Sequence, residues 1–178
     1  GHFLVALVDD LADRVLEAVA ASSLQVNACP WAAHLAESGR PWQSPVLQRI
    51  SAPRLTFATQ SVELVGLPRL GSVDFPLLRS ATTAIVLRQL GRLPDLRGFP
   101  QLAAVGGAVT VTANPMLTSF AGLGALTTIS GDLAITGNTA LTSLTGLDGL
   151  AEVGADLTIT GNPNLPPTQA QALAARVT

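Results

Sequence analysis

The sequence predicts a mainly β chain: a parallel β-solenoid of about five turns, closed by helices at both ends. Three observations predict it. Apolar residues recur every 24 positions through the C-terminal half: Leu102, Leu126 and Leu150 share one slot, and Val105, Ile129 and Val153 another. Val109, Leu133 and Leu157, then Val111, Ile135 and Ile159, then Leu117, Leu141 and Leu165 follow in phase. Asparagine keeps a slot of its own at Asn114, Asn138 and Asn162. A fixed period of about 20–50 residues with apolar residues in fixed slots marks a solenoid, where each turn buries its face against its neighbours.

Taken from the N-terminus, residues 3–21 have the spacing of an amphipathic helix. Leu4, Val8, Leu11, Val15 and Val19 recur at three and four, with Asp9, Asp13, Arg14 and Glu17 opposite. A second short helix is expected over 28–38, and Pro41, Pro45 and Pro53 then punctuate the approach to the repeats. Residues 1–50 therefore read as a helical N-terminal cap or appendage, and 51–178 as the repeat solenoid. The cap would cover the first turn, whose open end exposes core and strand edges. A helix that pairs with another chain through Leu4, Val8, Leu11 and Val15, giving a homo-oligomer, is the rival reading.

The repeat extends upstream in degenerate form. Leu78, Ala81, Ile85, Leu87, Leu93, Leu96 and Phe99 hold the phase, with Leu90 in the asparagine slot; one turn earlier the period shortens to 23, through Leu55, Ala58, Val62, Leu64, Leu67, Leu70 and Val73. Within a turn, Asp132-Leu133-Ala134-Ile135-Thr136 alternates polar and apolar residues, the pattern of a strand with one face inward. Gly137-Asn138 makes a corner, and Leu141, Leu144, Leu147 and Leu150, three apart, suit a wall of short extended or 3₁₀ pieces. An inward asparagine can bond the backbone groups that its own corner and the next leave unpaired. Pro166 and Pro167 open a C-terminal helix over 168–177.

Composition narrows the function. The net charge of −2, without a polybasic stretch, gives no electrostatic reason to expect nucleic acid or an anionic membrane. The apolar run Phe3 to Val8 is too short to span a bilayer, and Asp9-Asp10 stands where a signal peptide would have small residues. One cysteine, Cys29, excludes an internal disulfide framework, and Cys29 with His34 lacks the further ligands of a zinc site. There is no Walker loop or nucleophile elbow, and Gly122-Leu-Gly124 lacks the third glycine of a dinucleotide fingerprint. Asp132 and Asp156, one turn apart, supply too few oxygens for calcium. Trp31 and Trp42 read as packing in the cap. The expectation is a chain with no catalytic activity, cofactor or metal.

Leu126-Thr-Thr-Ile-Ser-Gly-Asp-Leu-Ala-Ile-Thr-Gly-Asn138, followed by Leu141-Thr-Ser-Leu-Thr-Gly-Leu147, resembles the receptor L-domain repeats. These are leucine-rich-repeat-like solenoids of receptor ectodomains and bacterial surface proteins. The likeness is close over 102–165 and weaker over 55–101. Three residues rather than two separate Ile129 from Leu133, and the flanking cysteines of the receptor versions are missing. The resemblance implies a right-handed solenoid that binds a protein or glycan partner in an extracellular or cell-surface setting, without catalysis.

The strand pattern places two outward columns on the sheet: Glu63, Val86, Thr110, Ala134 and Thr158, and Val65, Arg88, Thr112, Thr136 and Thr160. Such a face is flat, small-residued and almost uncharged. Three readings stay open for it. Threonine is a good outward strand residue in its own right. An uncharged sheet with an arginine anchor also suits a partner. Finally, Thr110-Val-Thr112 and Thr158-Ile-Thr160 are similar to the Thr-x-Thr arrays of ice-binding solenoids.

Overall fold

The computed structural model describes residues 47–177 in full and the backbone of 15–17 and 24–27. Strands are numbered along the chain. Parallel strands β2 (Leu24–Asn27), β5 (Ser61–Val65), β8 (Ala84–Arg88), β10 (Ala108–Thr112), β12 (Leu133–Thr136) and β14 (Leu157–Thr160) form a long sheet in which each pairs with the next. A narrow sheet of two-residue strands runs beside it: β4 (Phe57–Ala58), β7 (Ser80–Ala81), β9 (Ala104–Val105), β11 (Thr128–Ile129) and β13 (Glu152–Val153). A third sheet joins β1 (Val15–Glu17), β3 (Arg49–Ser51) and β6 (Ser72–Asp74). The result is a parallel β-solenoid of about five turns, mainly β, with one C-terminal helix.

The registers explain the period. Val109 pairs with Leu133 and Leu133 with Leu157, so one coil consumes 24 residues; Ser61 pairs with Ala84, so the upstream coil consumes 23. Alternation along the long sheet sends Val62 and Leu64, Ile85 and Leu87, Val109 and Val111, and Leu133 and Ile135 into one continuous core. Across from them the wall is a succession of tight turns. Leu141 N–H donates to Asn138 O, Leu147 N–H to Leu144 O, and Leu150 N–H to Leu147 O, each at 3.0–3.1 Å. These i→i+3 bonds turn Leu141, Leu147 and Leu150 inward at spacings of three, which accounts for most of the Leu-x-x-Leu pattern. Phe75 and Phe99 stack in successive coils with ring centroids 5.0 Å apart.

From β5 to β14, the corner after each long-sheet strand has one backbone conformation whatever residue holds it. Gly66, Gln89, Ala113, Gly137 and Gly161 have φ values of 55–68°. Glycine adopts this region readily, and Gln89 and Ala113 are held in it by the ladder, which continues through the corner: Gln89 N–H donates to Thr112 O and Ala113 N–H to Thr136 O.

Behind the corner lies the asparagine column. Asn114 and Asn138 are fully buried. Asn138 Oδ1 accepts from Asn114 N–H at 3.0 Å and from Asn114 Nδ2 at 3.2 Å, while Asn138 Nδ2 donates to Val111 O at 2.9 Å. Asn162 repeats this toward Asn138 N–H and Ile135 O, and Asn114 toward Leu90 N–H and Leu87 O. Leu90 has no side-chain oxygen, so the ladder stops there. Among the described residues no buried side-chain polar atom lacks a partner.

One expectation for the N-terminal region needs correction. The helix expected over 3–21 is not helical at Val15–Glu17, which is strand β1 paired in parallel with Arg49–Ser51. β3 runs through 49–51, and Ile50 is fully buried in the common core. The physical reason is edge coverage. β3 and β5 would otherwise present rows of unpaired N–H and C=O groups, which a strand satisfies and a helix laid across them does not. The rest of that helix, including Leu4, Val8 and Leu11, and the short helix over 28–38 lie outside the described residues. So do Cys29, His34 and both tryptophans.

At the other end, helix α1 (Pro167–Arg176) begins with proline in its first turn and buries Leu173. Gln169 Oε1 accepts from Leu144 N–H at 2.8 Å, and Arg176 donates to the carbonyls of Leu147 and Leu150. The helix therefore covers the last complete wall, 141–150.

Asn138→Ala should lower stability by about 2–5 kcal/mol, because it orphans a buried amide and a buried carbonyl at about 1–3 kcal/mol each. Urea denaturation followed by circular dichroism reads the change. Asn162→Ala, at the half-buried end of the column, should cost less.

Candidate functional site

The outward face of the long sheet is a regular surface built by strands in register. Pairing sets Glu63 beside Val86, Val86 beside Thr110, Thr110 beside Ala134, and Ala134 beside Thr158. The second column runs Val65, Arg88, Thr112, Thr136, Thr160 in the same way. All ten expected face residues are thus brought together in two aligned rows, about 4.8 Å apart from coil to coil.

Accessibility along the face follows the shape of its side chains. The residues of the middle coils are half-buried, since each leans on the row above and below, while Arg88, Thr158 and Thr160 are exposed. The face's two charges differ in availability. Glu63 accepts a 2.8 Å hydrogen bond from Ser61 Oγ, which ties it to its own strand. Arg88 forms no ion pair among the described residues and projects into solvent. Arg88 is therefore an anchor point for an acceptor on a partner.

A third column completes the face and was not legible as part of it. Ser61, Ala84 and Ala108 begin their strands in register and are replaced downstream by Asp132 and Asp156. Those two aspartates form a small ladder, in which Asp156 N–H donates to Asp132 Oδ1 at 2.9 Å. The backbone register also extends both main columns by one coil, to Gln25 and Asn27.

No two outward side chains of the main columns form a charged or nucleophile–base pair. Thr112, Thr136 and Thr160 form an unbroken column, while Ala134 separates Thr110 from Thr158 and the threonines stop at Val86 with Arg88, so they make one short patch rather than a lattice. Inside, a void bounded by Ile85, Leu87, Phe99, Val109 and Val111 has no polar lining, which leaves a ligand nothing to orient it. Among the described residues no group of histidine, cysteine, aspartate and glutamate side chains is placed to hold a metal ion, and no helix is long and apolar enough to cross a membrane.

No family model, curated protein or solved structure matches this chain.

Ala134→Thr fills the gap between Thr110 and Thr158. It should raise stability by about 0.2–1 kcal/mol through cross-strand packing and strand propensity, read from the thermal midpoint.

Proposed function

We propose that this chain is a non-catalytic interaction module of the leucine-rich-repeat-like, receptor L-domain-like type, and that it engages another protein through the outward face of the long sheet. The carrying observation is the in-register alignment of nine mostly small, mostly neutral side chains around the exposed Arg88. The flatness of the face supports a protein over a glycan, since small ligands are held in concave sites.

Size sets the strength of the contact. Five strands at about 4.8 Å, each showing about 16 Å of length, give a face of roughly 400 Å². A standard interface buries about 800 Å² per partner, so the contact is either weak and transient or wraps onto the neighbouring corners. This reading carries with it an extracellular or cell-surface setting, in which weak sheet-face contacts gain strength from multivalency.

The test uses the immobilised full chain against extracts of the cells that make it, with captured proteins identified by mass spectrometry. A partner held by the wild type should be lost by Arg88→Glu combined with Thr112→Arg, by at least tenfold, and kept by Thr145→Arg on the opposite wall. Equal capture by the face variant would remove this face from consideration.

A further inference from the structure

The solenoid is closed on only half of its C-terminal end. Helix α1 lies over the wall, but among the described residues nothing pairs with the outer edge of β14. Leu157 and Ile159, which occupy the slots of the fully buried Leu133 and Ile135, are only partly buried. The backbone is open as well. Leu133 N–H donates to Asp156 O at 2.9 Å and Gly137 N–H to Thr160 O at 3.0 Å, so residues 156, 158 and 160 spend their groups on β12. In a parallel ladder the intervening residues, Leu157 and Ile159, direct their N–H and C=O the other way.

Both side-chain ladders are also open here, each with a defined polarity. Asp132 receives the N–H of Asp156, and the Asp156 carboxylate stands ready to receive the corresponding N–H of a following strand. Asn138 N–H is received by Asn162 Oδ1, and Asn162 N–H is the donor that a following residue would accept. The charge around this edge has one sign. Residues 47–99 carry seven arginines against Glu63, Asp74 and Asp95; residues 100–177 carry Arg176 against Asp132, Asp148, Glu152 and Asp156. Arg176 is turned onto the wall carbonyls, which leaves Glu152 and Asp156 exposed beside β14.

We propose that the β14 edge is a second binding site, which takes an extended, basic segment of a partner protein as an added parallel strand. Main-chain bonds to Leu157 and Ile159 supply affinity. Alternate apolar residues of the segment cover those two side chains, and a basic residue before them meets Asp156 and Glu152. An acceptor after the strand takes Asn162 N–H. Parallel edge-to-edge pairing with a second copy of this chain is opposed by the same charges, because it would set the Asp156 residues of both copies against one another.

The probe is a dye-labelled, end-blocked peptide, Ala-Arg-Leu-Thr-Ile-Thr-Gly-Asn, patterned on residues 155–162 with arginine in the Asp156 slot. Titrated with the full chain and followed by fluorescence anisotropy, it should bind one-to-one, at least tenfold more tightly than the same peptide with glutamate in place of arginine. Ile159→Pro removes an outward N–H without touching the bonds to β12, so it should keep the wild-type circular dichroism and lose at least tenfold in affinity. The double variant Glu152→Lys with Asp156→Lys should prefer the glutamate peptide. Equal binding of the two peptides, full binding by Ile159→Pro, or an unchanged preference in the lysine variant would overturn the proposal. So would a wild-type dimer that Ile159→Pro dissolves, since the occupant would then be a second copy.

Discussion

The structure depends on one interaction repeated at three successive corners: an asparagine side chain, at Asn114, Asn138 and Asn162, that serves two coils at once. Where the chain leaves the long sheet, it turns through a left-handed residue and carries its next amide into the core. That amide has no strand to pair with. The asparagine one coil later supplies the acceptor, and its own Nδ2 goes back to a carbonyl three residues before the corner. Both contacts span fixed sequence distances, 24 and 27 residues, so the column measures the coil length. An inserted or deleted residue would shift an asparagine out of reach and leave buried polar groups unpaired, at a cost comparable to the stability of a small domain.

This constraint separates the inside of the molecule from its surface. Inward slots are set by packing against the coil on either side, and among the described residues the fully buried polar side chains are those of Asn114 and Asn138. Outward positions have no such duty. They carry threonine, alanine, valine, glutamate or arginine without change to the core, which is why a solenoid can vary its binding surface on a fixed frame. The same logic makes the ends distinctive, because each ladder there has an unused donor or acceptor. α1 satisfies the wall with Gln169 and Arg176, while the sheet edge at β14 keeps its groups exposed.

Much of this was legible in the residues. The 24-residue phase located every long-sheet strand from β5 to β14, and the alternation in Asp132 to Thr136 separated inward from outward positions. The asparagine slot pointed to backbone bonding, since a buried amide side chain has both a donor and an acceptor to place. The N-terminal coil was not legible. Leu24 pairs with Val62 across 38 residues rather than 23 or 24, so the extra chain hides the repeat. The alternation Leu24-Gln25-Val26 was the available signal, but three residues weigh little beside a helical pattern over 3–21. At Val15–Glu17 the pairing with β3 overrides that pattern. The half-open C-terminal end was equally hidden, because which edge a helix covers depends on tertiary contacts of Gln169 and Arg176.

The most direct measurement is residue-resolved amide hydrogen exchange by NMR, at the N–H groups of Leu90, Asn114 and Asn138. These are the three amides that the asparagine column accepts. They should exchange as slowly as the core strand amides of β10 and β12, through openings that approach global unfolding. Exchange as fast as that of exposed corner amides such as Gly161 would show that the column does not hold the coils together.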